Sequence, residues 1–218
     1  MYIALIGDII NSKEYLNRNE IQNLLRNKID SLNNKYKKDL KSPITITLGD
    51  EFQCLIKNVK VCFLIIDELS LYLSLEGVEL RFGIGVGMIS TDIDEGISIG
   101  ADGPAYWSAR EAIQIVHRDH DNRNTSTYLK ITDENNESFF NSIVRLQDLI
   151  RNNWTQTQKQ FVYEIISDFG YEQIVPRTLV ETMNFSSSQV SNRLASTAIR
   201  QYVTSRIELS KQVSLEDI

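Results

Sequence analysis

Residues 44–56 read Ile-Thr-Ile-Thr-Leu-Gly-Asp-Glu-Phe-Gln-Cys-Leu-Ile. Two β-rich runs, 44–48 and 52–56, flank Gly49-Asp50, a dipeptide that favours a tight turn, so the stretch reads as a β-hairpin. Upstream, residues 1–10 are nearly continuous in apolar side chains (Ile3, Leu5, Ile6, Ile9, Ile10), the composition of a strand at a sheet centre. Between these, Ile21, Leu24, Leu25, Ile29, Leu32 and Tyr36 recur at steps of three and four, which predicts an amphipathic helix. Downstream the pattern predicts an apolar helix over 59–75 and a strand over 78–89, whose Gly83, Gly85 and Gly87 leave room for something close to the backbone. A loop with four acids (91–103), a helix (105–117), a strand (125–131) and a helix (134–152) follow. The order β-α-β-β-α-β, then α-β, is that of an α+β fold.

The character changes at 151–157, where Trp154 is the only apolar residue, and a boundary is expected there between domains 1–152 and 153–218. Beyond it everything reads as helix. Phe161, Val162, Ile165, Ile166 and Phe169 mark one helix stopped by Gly170, and Leu179, Val180 and Met183 mark a short second one. The third starts at Ser186-Ser187-Ser188-Gln189, a capping-box pattern, and continues through Val190, Leu194, Ala195, Ala198 and Tyr202. A short helix, a tight turn and a capped helix suggest a helix-turn-helix or winged-helix-like domain. Ser188, Gln189, Asn192 and Arg193 would then sit where recognition helices contact the base edges of duplex DNA. Against this, acids outnumber bases by seven to six beyond residue 152, so a helical docking module is the competing reading.

The 218 residues, 42% hydrophobic and 24% charged, suffice for a globular core, and the net charge of −6 provides no global attraction to nucleic acid. The longest apolar run, 61–66, is too short to span a bilayer, and Asp8 with no basic region near the start argues against a secretion signal. A cytoplasmic protein that does not engage membranes is expected. Cys54 and Cys62 fall in different elements and read as buried, reduced thiols. His117 and His120, three apart, are read as a charged helix end rather than a metal site.

Asp8 ends the first strand and Asp50 sits in the hairpin turn, and adjacent strands would let the two carboxylates form a hard oxygen site suited to Mg²⁺ and phosphates. Asn11, Ser12 and Lys13, opening the connection into the first helix, would offer donors to those phosphates. The blocks Ile6-Gly7-Asp8-Ile9-Ile10, Leu48-Gly49-Asp50-Glu51-Phe52 and 81–87 (Arg-Phe-Gly-Ile-Gly-Val-Gly) resemble, in order and spacing, those of class III nucleotidyl cyclases. Gly49-Asp50-Glu51-Phe52 is similar to the hairpin signature of the GGDEF diguanylate cyclases. The resemblance implies a ferredoxin-like βαββαβ palm, with Asp8, Asp50 and Ile9 at the metal and Arg110 matching a late helix arginine. Tyr106 stands where cyclases carry an asparagine and Asn11-Ser12 replaces their Phe-Thr, which points to a degenerate palm that binds a nucleotide; Tyr106 with Trp107 would stack on its base. Over the whole chain, 6–14, 49–53 and 102–107 resemble the bacterial SatD family. The reading is a regulatory protein, expected as a homodimer, whose palm binds a nucleotide and whose helices bind DNA. The alternatives are a Mg²⁺-dependent nucleotidyl or phosphoryl transferase, or a non-catalytic dimerisation scaffold.

Overall fold

The computed structural model describes residues 1–118, 125–132, 134–172 and 174–213. His120 lies outside the described residues. The elements are β1 (Tyr2–Ile9), α1 (Arg18–Lys35), β2 (Leu40–Leu48), β3 (Glu51–Ile56), α2 (Val59–Leu75), β4 (Leu80–Gly87), α3 (Pro104–Arg118), β5 (Thr127–Lys130) and α4 (Glu134–Asn152). Four further helices follow: α5 (Gln156–Phe169), α6 (Pro176–Met183), α7 (Ser187–Thr197) and α8 (Ile199–Gln212). The fold is α+β, with one mixed five-stranded sheet in the order β2-β3-β1-β4-β5. Its pairs are antiparallel except β4–β5, which is parallel.

The two sheet faces are built differently. Ile3, Leu5, Phe52, Cys54, Ile56, Phe82, Ile84 and Val86 face the large core shared with α1 and α2. The other face carries Ala4, Ile6 and Leu55 against Ala105, Tyr106, Ala109 and Ile113 of α3. The glycines of β4 are what let α3 come so near: a Cβ on Gly83 or Gly85 would stand 2.2 Å from the carbonyl oxygen of Ala109 or Ala105. The close partner implied by the glycine-rich strand is therefore this helix. The loop 91–100 is stitched to β2 and β3: Gln53 donates to the carbonyl of buried Ser98 at 2.6 Å, and Ser98 donates to that of Pro43 at 2.9 Å.

β5 is an edge strand whose outer backbone groups are satisfied by side chains of α4. Asp148 accepts from the amides of Ser126 and Thr127, Asn141 both accepts from and donates to Leu129, and Glu137 accepts from the Ile131 amide.

The helices beyond residue 152 share the core of the sheet. Phe161, Val162, Ile165, Ile166, Tyr202, Val203 and Leu209 belong to the same apolar cluster as α1 and α2. At its centre Asp67 of α2 is fully buried and accepts from Arg206 at 2.8 Å, Arg151 at 3.2 Å, Tyr202 at 2.7 Å and Tyr171. Trp154 anchors this part by donating its indole N–H to the Thr197 carbonyl and packing edge-on against Tyr202. The capping box of Ser186 and Gln189 forms as the sequence suggests. The long third helix expected through Tyr202 is instead two, because Ala198 takes a left-handed conformation (φ 49°) between α7 and α8. No helix of the described residues is long and apolar enough to cross a membrane.

Candidate functional site

β1 carries Asp8 to the end of the sheet beside β4, where the register pairs it with Arg81. Arg81 Nε donates to Asp8 Oδ1 at 2.6 Å, and His117 Nε2, from the last turn of α3, lies 3.2 Å from Asp8 Oδ2. Burial pushes the Asp8 carboxyl above the usual carboxylate range, and the charges of Arg81 and His117 offset this only in part. One step beyond the Gly7–Phe52 pair, β3 begins with Glu51. Its carboxylate is held by both terminal nitrogens of Arg110, at 2.6 and 3.1 Å, in the forked geometry that guanidinium and carboxylate favour. Two carboxylates and three basic groups therefore meet where β1, β3 and β4 run under α3.

Asp50 occupies the hairpin turn after Gly49, which supplies the left-handed φ of 64°. It lines a small hollow on the α1 side together with Ile9, Ser12, Tyr15, Arg18 and Gln22. The structure thus brings Asp50, Ile9 and Ser12 to one hollow, and Asp8 and Arg110 to the face under α3. Asn11 and Lys13 lie exposed in the turn after β1, with Asn11 donating to Glu14 at 3.2 Å. Tyr106 is buried against the sheet and its hydroxyl is pushed up to about 12 by burial, whereas Trp107 is exposed and donates to Asp102 at 2.8 Å.

The residues missed from sequence are Glu51, Arg81 and His117. Glu51 and Arg81 lie within the quoted motifs, and alternation along β1 and β3 puts Asp8 and Glu51 on one face once the register is known. His117 is 109 residues from Asp8 and no local signal joins them. Among the described residues no group of three His, Cys, Asp or Glu side chains is arranged to hold a metal ion. Mg²⁺, however, commonly takes only one or two carboxylates and completes its shell with phosphate and water.

In α7, Ser188, Gln189 and Asn192 are exposed, although Gln189 is also engaged in the capping box. Arg193 is half-buried with its guanidinium 4.4 Å from the centre of the Phe185 ring.

No curated protein matches the chain. Among solved structures, the guanylyl cyclase Cya2 aligns at 16% identity over 50% of this chain and 67% of its own, with a TM-score of 0.35. The SatD family model matches residues 2–213, almost the entire sequence, and the chain belongs to the SatD family.

Proposed function

We propose that the end of the sheet under α3 binds a nucleotide or related phosphorylated ligand together with Mg²⁺, and that the protein is a ligand-responsive regulator. The observation that supports this is the paired cluster Asp8–Arg81–His117 and Glu51–Arg110. A cation with a phosphate ligand suits such a cluster because each can exchange one set of ion pairs for another. Asp8 would hold Mg²⁺, which neutralises phosphate charge when bound, and Asp50 with the Ile9 backbone would join it only if the hairpin turn swings from the α1 side around the end of the sheet. Asp8 must leave Arg81 and His117 to do so. The basic groups thus freed, with Arg110, Ser12 and Lys13, are donors for phosphate oxygens.

Titration calorimetry of the full chain with nucleoside mono-, di- and triphosphates and cyclic nucleotides, with and without Mg²⁺, tests the reading. Binding should require Mg²⁺ and should be lost in Asp8→Asn and weakened at least about tenfold in Arg110→Ala, a loss of about 1.4 kcal/mol. Unchanged affinity in both variants would sink it. Product analysis of the same mixtures separates a sensor, which returns the ligand intact, from a phosphoryl or nucleotidyl transferase.

The proposal extends to α6 and α7, read as a helix-turn-helix that contacts duplex DNA. Its support is the three-residue connection between these helices and the exposed polar start of α7. Low-salt mobility shifts of the full chain on genomic fragments should show binding that weakens in Asn192→Ala. No shift on any fragment would favour a protein-docking role for α7.

A further inference from the structure

Beside the end of β1, on the α2 side of the sheet, lies a cavity built from both halves of the chain. Ser70, Glu79, Ser126, Arg151, Asn152 and Lys159 are among its lining residues, and none belongs to the site under α3. It encloses about 50 Å³ of water-accessible space. That is room for roughly three to five waters, or for the four oxygens of one tetrahedral anion.

The wall is rich in donors that the fold leaves over. Ser70 Oγ is buried without a hydrogen-bond partner. Ser126 Oγ accepts from Arg151 at 2.7 Å and so keeps its own proton to give. Arg151 is already balanced by Asp148 at 2.6 Å and Asp67 at 3.2 Å. Lys159 is half-buried on α5, and burial pulls its ammonium below the ordinary lysine range, with Glu79 opposing this as the carboxylate on the wall. A hydroxyl without an acceptor and a desolvated ammonium both favour an anion over a neutral guest. Glu79, which as a carboxylate can accept but not donate, selects further for an anion that still carries a proton.

We propose that this cavity binds a small protonated oxyanion, with phosphate as its probe: Lys159 neutralises the charge, Ser70 and Ser126 donate to two oxygens, and Glu79 accepts from the P–OH group. Sulfate has the same shape but is fully deprotonated near neutral pH, so it lacks the proton that Glu79 requires. Occupancy would tie α5 to α2 and to the start of β4, joining the two halves of the chain through one ion.

The test uses the full chain in phosphate and in sulfate at matched ionic strength. Phosphate should raise the melting temperature beyond sulfate. It should also slow amine labelling of Lys159 by roughly tenfold at roughly ten times its Kd, while exposed Lys37 and Lys60 label unchanged. Lys159→Met should abolish the phosphate-specific shift, and Arg110→Ala should retain it, which separates this cavity from the site under α3. Equal shifts in the two anions would mark a general salt effect and overturn the proposal. So would an unprotected Lys159, a full shift in Lys159→Met, or loss of the shift in Arg110→Ala.

Discussion

Asp67 shows how much can depend on one side chain. It sits mid-helix in α2, just after the apolar run 61–66, with no exposure, and accepts from two arginines and two tyrosines contributed by α4, α8 and the segment after α5. Burial alone would raise its carboxyl, but Arg206 and Arg151 hold it below the usual range. A depressed folded-state value contributes stability that is present above the unfolded value, near pH 4, and is lost as pH falls through the folded one. Asp67→Asn takes the carboxylate from buried Arg206, while Arg151 keeps Asp148, and should cost about 3–5 kcal/mol in urea unfolding at neutral pH. The same variant should flatten the acid limb of the stability profile. A cost below about 1 kcal/mol would show that the arginines find other partners. In the sequence, Asp67 could be read only as the residue that ends an apolar run, because its partners lie 84 to 139 positions away. Asp8 and Asp50, embedded in motifs, were legible as candidates, but Arg81 and His117 facing Asp8 were not, since strand register brings the first there and the packing of α3 on the sheet brings the second.

The elements themselves were largely written in the local pattern. The helices over 59–75 and 134–152 appear with the bounds that periodicity suggests, and the hairpin turns at Gly49-Asp50. Periodicity failed at Ala198, where the apolar spacing of α7 runs on into α8 but the backbone does not. Alanine is the strongest helix former, so nothing local announces a left-handed residue there. The break it makes turns the chain so that Ile199, Tyr202 and Val203 of α8 are buried in the core. Because a Cβ is strained at that φ, Ala198→Gly should stabilise the protein by about 0.5–1 kcal/mol, raising the melting temperature by a few degrees. A fall in stability would mean that the alanine methyl contributes more by packing than it costs in backbone strain.

For the whole molecule, the change in composition near Trp154 marks the end of α4 but not a break in the core. Residues on both sides of it belong to one apolar cluster, with the Asp67 network at its centre. Thermal unfolding followed by calorimetry should therefore show one transition with equal calorimetric and van't Hoff enthalpies, and a chain cut after Asn152 should lose cooperative unfolding. Two resolved transitions would restore independent halves. Composition cannot reveal such a merger, because an apolar helix face looks the same whether it packs on its own domain or on its neighbour. Another consequence concerns what the protein can join. Because Glu137, Asn141 and Asp148 occupy the hydrogen-bonding groups of β5, no extended peptide and no second sheet can add to that margin while α4 stays in place. Fibre growth from that side must wait for α4 to peel away, so the helix guards against polymerisation, and conditions that loosen it before the sheet melts are those in which aggregates should begin.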